Sequence, residues 1–170
     1  MLLPEQNDRK STPDTHPSAL VSLMATGLGS GLLPKAPGTW GSLLAVFLAW
    51  PLALAWGWMG LLVGGALVFV IGIPVSEAYV RRTGREDPGE VVIDEVAGQW
   101  LTLIPVALEP SLIGFALGFL LFRIFDVLKP WPIRAIERAT RGGFGIMIDD
   151  VAAALPAALL LYGAIRLMGH

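Results

Sequence analysis

The sequence contains no cysteine, and its two histidines, His16 and His170, lie close to the ends of the chain. Without cysteine the protein has no disulfide bonds, no thiolate metal ligands and no cysteine nucleophile. A phosphohistidine mechanism has no candidate in the body of the chain either. Charge is scarce as well, since Asp, Glu, Lys and Arg make up 15% of the 170 residues, against about 25% in soluble domains. With 12 basic and 14 acidic residues, the chain lacks the basic surplus of a nucleic-acid-binding protein, and we expect no nucleic-acid partner.

Hydrophobic residues are abundant instead, at 54% of the chain, and they occur in long runs. No charged residue occurs in residues 36–76. Because a helix needs about 20 apolar residues to cross the hydrocarbon core of a membrane, this run predicts two crossings, residues 42–56 and 59–75. The chain would turn between them at the Trp-Gly-Trp sequence of residues 56–58, since tryptophan favours the membrane interface.

Two further apolar regions follow, residues 96–122 and 151–167. The first contains one charged residue, Glu109, which we place in a turn over residues 108–111. A carboxylate is costly inside lipid, and the residue before a proline disfavours a helix. The sequence therefore predicts an all-α fold, a polytopic membrane helix bundle of about four to five hydrophobic helices, two of them short. The alternative is a soluble bundle, because buried core helices can have the same composition.

Basic residues are gathered on one side of the predicted bundle. Eleven of the twelve fall on the side of the N-terminus: Arg9, Lys10, Lys35, Arg81, Arg82, Arg85, Arg123, Lys129, Arg134, Arg138 and Arg141. Only Arg166 lies towards the other side. Because cytoplasmic loops carry an excess of Lys and Arg, we expect the polar loops to face the cytoplasm.

The first part of the chain differs from the rest. Residues 1–20 contain three prolines among polar neighbours and predict a disordered tail. They lack the basic-then-apolar order of a signal peptide. Residues 21–170 are expected to form one helical domain.

A glycine-rich segment, residues 27–42 (GLGSGLLPKAPGTWGS), precedes the first apolar run. Glycine permits close approach of the backbone to a ligand, and a following helix N-terminus favours anions. Lys35, Thr39 and Ser42 are therefore candidate substrate-binding residues. A capped turn at the membrane surface explains the same residues without a ligand.

Five carboxylates lie at the expected cytoplasmic ends of three helices. They are Asp94, Glu95, Asp126, Asp149 and Asp150. Singly, each fits a helix cap or, for Asp126, a helical pair with Arg123. Together they would form a cluster that needs a hard cation, and ligation by oxygen alone favours Mg²⁺ or Mn²⁺.

Basic residues accompany these acids. Lys129 and Arg134 are candidate substrate-binding residues, because Lys and Arg bind anionic oxygens. A divalent metal beside basic side chains and a glycine-rich loop suits phosphate chemistry.

Four segments carry a family resemblance: residues 27–42, 93–98 (IDEVAG), 122–134 (FRIFDVLKPWPIR) and 142–153 (GGFGIMIDDVAA). In these segments and in their order, the sequence resembles the phosphatidylglycerophosphatase A family. The resemblance implies a Mg²⁺-dependent phosphatase in the bacterial cytoplasmic membrane. Its phospholipid substrate would be phosphatidylglycerophosphate, hydrolysed to phosphatidylglycerol and phosphate at the cytoplasmic surface.

The mechanistic hypothesis assigns the five carboxylates to the catalytic and metal site, with Glu95 as a ligand or a general base. An aspartyl-phosphate intermediate is the alternative to direct attack by water. A phosphatase of another lipid phosphate, such as phosphatidate, is a second alternative. The third is a non-enzymatic membrane subunit or cation carrier, which predicts carboxylates near the middle of the bilayer.

Overall fold

The computed structural model describes residues 18–168, and within them it contains helices and turns but no β-strand. The helices are α1 (Ala19–Ala25), α2 (Pro37–Thr83), α3 (Ile93–Thr102), α4 (Leu112–Leu128), α5 (Ile133–Ala139) and α6 (Gly142–Leu167), with single 3₁₀ turns at Ser30–Leu32 and Ile104–Leu108. The predicted all-α class is confirmed. The predicted tail, residues 1–20, lies outside the described residues except for Ser18, which caps α1, and the first two residues of that helix.

The long helix α2 folds back on itself at Gly57. This residue has φ 60° and ψ −150°, a conformation that glycine adopts without the strain that a side chain would cause. A Cβ built on Gly64 would lie 3.3 Å from Leu52 Cδ2, whereas twelve residues of straight helix span about 18 Å. Residues 37–56 and 58–83 are therefore two arms of a hairpin, and the turn lies where the Trp-Gly-Trp sequence predicts it.

A second turn separates α3 from α4. The 3₁₀ turn Ile104–Leu108 follows α3, and the side chain of Ser111 caps α4 by accepting a hydrogen bond from Gly114 N at 3.1 Å. Leu103 and Phe115 are buried beneath this connection. The predicted turn over residues 108–111 is confirmed, and a single helix over residues 96–122 is excluded.

Helix α6 begins at Gly142, nine residues before the predicted start of the last apolar helix. Asp149 and Asp150 are its eighth and ninth residues, so the prediction that they open the helix is wrong. The cause is close packing, because a Cβ on Gly143 would overlap Ile73 O of α2. Gly143 N donates to the Glu77 carboxylate at 2.8 Å, which satisfies a first-turn amide that a helix start leaves without a partner.

Much of the surface is apolar. Helices α2 and α6 are long and apolar enough to cross a membrane, by length and composition. Only 28% of the most apolar part of α2 is buried. Large side chains exposed on the two helices include Phe47, Leu54, Leu67, Leu155 and Leu159. Exposed apolar side chains in such number are typical of contact with a membrane or another protein.

The short helix α3 lies between α2, α4 and α6. Its Gly98 faces two neighbours, since a Cβ there would lie 2.6 Å from the Phe122 ring and 2.9 Å from Asp150 O. Close approach at Gly98 places the first turn of α3 beside the third turn of α6 and the end of α4. Carboxylates from all three helices consequently meet.

Candidate active site

The carboxylates meet in a cavity of about 490 Å³. All five predicted acidic residues line it: Asp94, Glu95, Asp126, Asp149 and Asp150. Lys129 lines the same cavity. The sequence-based expectation that three separate segments converge is therefore met by the geometry.

Asp94, Asp149 and Asp150 form the tightest group, which we call the aspartate trio. Each offers a carboxylate oxygen, and these oxygens lie within 4.8 Å of one another. Among residues 18–168, Asp94 Oδ1 and Asp150 Oδ2 are buried without a hydrogen-bond partner. Burial and the neighbouring Glu95 and Asp149 charges raise the pKa of Asp94 well above its ordinary value. Oxygens placed in this way could hold a cation, which would offset the cost of an unpaired buried charge.

Glu95 and Asp126, which we call the arginine-paired acids, have a different environment. Arg123 Nη1 contacts Glu95 Oε2 and lies 2.7 Å from Asp126 Oδ2. Ser42 Oγ donates to Glu95 Oε2 at 2.6 Å. Burial and the Asp126 charge nevertheless raise the pKa of Glu95 to about 7, against the lowering effects of Arg123 and Ser42. The predicted pair of Arg123 with Asp126 is present, and Glu95 joins it.

Lys129 connects the trio to α5. Its Nζ lies 2.6 Å from Asp149 Oδ2 and 2.7 Å from Glu137 Oε1. Burial alone would lower the pKa of Lys129, but the bonds to these two carboxylates raise it above its usual range. The residue ends α4 in the left-handed region, with φ 41°. This conformation turns the chain away from the axis of α4 at the edge of the cavity, where the positively charged ammonium group of Lys129 lies.

The glycine-rich segment reaches the site through two of its residues. Ser42 is buried and bonded to Glu95. Gly38 packs against Glu95 and Arg123, where a Cβ would overlap the Glu95 carboxylate. Lys35 is exposed and Thr39 is half-buried, and neither lines the cavity. The segment thus positions a carboxylate, and in this structure it does not surround the cavity.

Arg134 lies beside this cavity rather than in it. It lines a second cavity of about 340 Å³ together with Arg138 and Trp131, and the two cavities share Lys129. Arg134 Nη2 donates to Leu128 O at 3.3 Å.

Sequence reasoning missed four acidic lining residues, Glu77, Glu86, Asp87 and Glu137. Glu77 is the first charged residue after the long charge-free run, which is the signal that could have found it. Glu137 sits on α5 and meets Lys129 through a turn that the sequence pattern does not predict. These four acids make the cavity more anionic than expected.

Within residues 18–168, the fold and the site define a class of helical protein in which carboxylates from three helices and a lysine line one cavity. Comparison with known sequences identifies the family. A family model described as phosphatidylglycerophosphatase A matches residues 23–165. The chain belongs to the phosphatidylglycerophosphatase A family.

Two individual relatives carry the family name, and a third carries a different one. A phosphatidylglycerophosphatase A from Escherichia coli is 42% identical over 82% of this chain and 80% of its own length. A protein of the same name from Haemophilus influenzae is 40% identical over 84% of this chain and 86% of its own length. A Bacteroides thetaiotaomicron protein, 39% identical over 86% of this chain and 94% of its own length, is named "putative phosphatidylinositol-3-phosphatase". No solved structure matches the chain.

Proposed function

We propose that this protein hydrolyses the terminal phosphate of phosphatidylglycerophosphate to give phosphatidylglycerol. The observation that carries the proposal is the aspartate trio beside Lys129, in a chain that belongs to this family. Two relatives that carry the family name are 40% and 42% identical over more than four fifths of the chain. The site also offers donors for both a metal and a phosphate.

The donors fit Mg²⁺. Nine acidic side chains line the cavity against two basic ones, Lys129 and Arg141. An anionic phosphate would be repelled from such a cavity unless a cation were present. Asp94, Asp149 and Asp150 would hold the ion, because carboxylate oxygens suit Mg²⁺ and two of their oxygens are otherwise without partners. When bound, Mg²⁺ would neutralise phosphate charge and lower the pKa of a water molecule.

The protein's own side chains supply the remaining functions. Lys129 would bind a phosphoryl oxygen of the substrate, exchanging its contact with Glu137 or Asp149. Glu95 would take the proton of the attacking water, since its carboxylate lines the cavity directly beside the trio. Arg123 and Ser42 would keep Glu95 in place. Attack by an aspartate carboxylate is the alternative to attack by water.

The proposal places the protein in the bacterial cytoplasmic membrane as a multi-pass bundle with its cavity facing the cytoplasm. The two arms of α2 and the helix α6 are about 30, 39 and 39 Å long at 1.5 Å per residue, which is enough to cross. Their exposed apolar side chains support this placement. The basic residues near the cavity support the cytoplasmic orientation.

The test is phosphate release from phosphatidylglycerophosphate by purified protein in mixed micelles, with Mg²⁺ and with a chelator. We expect release with Mg²⁺ and none with the chelator. Failure of the wild-type protein to release phosphate under any metal condition would favour a non-enzymatic membrane subunit or cation carrier.

A second substrate is favoured by one observation, the phosphatidylinositol-3-phosphatase name of the Bacteroides relative. Phosphatidylinositol 3-phosphate and phosphatidate therefore belong in the same assay. A higher kcat/KM on either lipid would reassign the substrate while keeping the site and the reaction type.

A further inference from the structure

The second cavity lies between the end of α4 and helix α5. Its lining combines basic and apolar side chains: Leu128, Lys129, Trp131, Arg134 and Arg138. It meets the carboxylate cavity at Lys129, which lines both. A ligand that spans Lys129 would therefore contact both cavities.

The two arginines of this cavity are not neutralised. Arg134 and Arg138 are four residues apart on α5, so they occupy neighbouring positions on one helix face. Within residues 18–168 neither forms an ion pair. Like charges at this spacing destabilise a helix by a few tenths of a kcal/mol. Two such cations beside a concave surface indicate an anionic ligand.

The outer side of the same cavity is apolar. Trp131 is 85% exposed, and Leu128 is 62% exposed. Leu120, Ile124 and Val127 are exposed along the preceding turns of α4, and their spacing places them on one helix face. Tryptophan beside exposed aliphatic side chains is typical of the membrane interface. The basic cavity thus lies between the carboxylate cavity and an apolar helix face.

We propose that the cavity of Arg134, Arg138 and Trp131 binds the phosphodiester of the lipid substrate, while the carboxylate cavity takes its phosphomonoester. The proposal rests on the proposed function. Along phosphatidylglycerophosphate the order is phosphomonoester, glycerol, phosphodiester and acyl chains. Along the protein the order is aspartate trio, Lys129, arginine pair and apolar face of α4. Each group of the lipid therefore has a chemically suited region of the protein in the same order.

This arrangement determines substrate selectivity. Phosphatidylglycerophosphate and phosphatidylinositol 3-phosphate both carry a phosphodiester and a separate phosphomonoester on the head-group alcohol. Phosphatidate carries a phosphomonoester alone, attached directly to diacylglycerol. Lipids of the first kind can engage both cavities, and we expect the protein to prefer them.

The experiment measures kcat/KM on short-chain phosphatidylglycerophosphate and phosphatidate, for the wild type and for Arg134→Gln, Arg138→Gln and the double variant. The selectivity ratio is kcat/KM on phosphatidylglycerophosphate divided by kcat/KM on phosphatidate. In the double variant we expect this ratio to fall at least tenfold, mainly through a higher KM for phosphatidylglycerophosphate. Arg166→Gln is the matched control, because it removes one arginine charge about 24 Å along α6 from Asp150. Its ratio should stay at the wild-type value.

Inhibition separates a lipid phosphodiester from free phosphate as the ligand. Short-chain phosphatidylglycerol, which has a phosphodiester only, should inhibit the double variant at least tenfold more weakly than the wild type. Inhibition by inorganic phosphate should change by less than threefold. An equal change for both inhibitors would overturn the assignment to the phosphodiester.

The failure of this inference is distinct from the failure of the proposed function. An active wild type with an unchanged ratio in the double variant would overturn the phosphodiester site alone. A wild type that hydrolyses none of the lipids would overturn the proposed function. Arg134 and Arg138 are exposed, so their replacement should leave the fold intact. Arg138→Lys keeps the positive charge and should therefore lose less selectivity than Arg138→Gln.

Discussion

The aspartate trio and the arginine-paired acids lie in one cavity, yet they are built differently. Glu95 and Asp126 share the guanidinium of Arg123, and Ser42 adds a hydrogen bond to Glu95. In the trio, the nearby cation Lys129 contacts Asp149 alone, and two carboxylate oxygens have no partner among the described residues. The acids of the first group are paired with a cation of the protein itself, whereas those of the second would be paired with the proposed metal. On the proposed mechanism, the trio would bind the metal, and the pair would supply Glu95 as the general base.

The largest effect should follow from Asp150→Asn. This change removes a charge from the trio while keeping the size of the side chain. We expect kcat on phosphatidylglycerophosphate to fall at least 1,000-fold, which corresponds to about 4 kcal/mol of transition-state stabilisation. Steady-state phosphate release measures it. Glu109→Gln, at the exposed turn before α4, is the control and should retain wild-type activity.

Arg123→Gln should produce the next largest effect, on stability. It leaves the buried Glu95 and the half-buried Asp126 without their cation, and breaking a buried pair costs about 3–5 kcal/mol. Thermal unfolding in detergent would show a lower midpoint. Adding Glu95→Gln to this variant removes one uncompensated charge and should recover part of the loss. A double variant no more stable than the single one would contradict the pairing.

Gly98→Ala tests how the trio is assembled. The new methyl group would press on the Phe122 ring and on Asp150 O, and overpacking of this kind costs about 1–3 kcal/mol. Because α3 would move away from α6, we expect the Mg²⁺ concentration for half-maximal activity to rise several-fold. Gly163→Ala is the matched control, since a Cβ there meets nothing within 4 Å. An equal Mg²⁺ requirement in the two variants would show that the close packing of helices at Gly98 does not position the aspartate trio.

Ser42→Ala should have the smallest effect. It removes one hydrogen bond to Glu95, for which we expect a loss of about 1 kcal/mol, or roughly fivefold in kcat/KM. Ser22→Ala on α1, away from the cavity, serves as its control. A loss as large as that of Asp150→Asn would contradict the distinction between the two groups, because one hydrogen bond to Glu95 would then matter as much as a proposed metal ligand.

Features of the fold that depend on local signals were predictable. The turn at Gly57 follows from a Trp-Gly-Trp sequence inside a charge-free run, and the turn over residues 108–111 follows from Glu109 before a proline. The start of α6 was not predictable, since a glycine-rich beginning resembles a loop. Gly143 is helical there because its missing side chain admits the backbone of α2 at Ile73.

Some features of the candidate site were likewise predictable from the sequence, and others were not. The presence of five carboxylates at helix ends indicated a cluster, and they do share one cavity. Their division into two groups depends on the contact of Arg123 with Glu95, two residues that lie 28 positions apart in the chain. The exclusion of Lys35 and Thr39 from the cavity lining likewise depends on how the glycine-rich segment packs. Tertiary contacts of this kind leave no periodic pattern in the sequence.

Binding of Mn²⁺, measured by electron paramagnetic resonance, tests most directly whether the aspartate trio holds the metal. We expect one tightly bound Mn²⁺ per wild-type chain, affinity at least 100-fold weaker in Asp150→Asn, and affinity within tenfold of the wild type in Asp126→Asn. Equal affinity in the wild type and in Asp150→Asn would contradict the claim, as would a greater loss in Asp126→Asn than in Asp150→Asn.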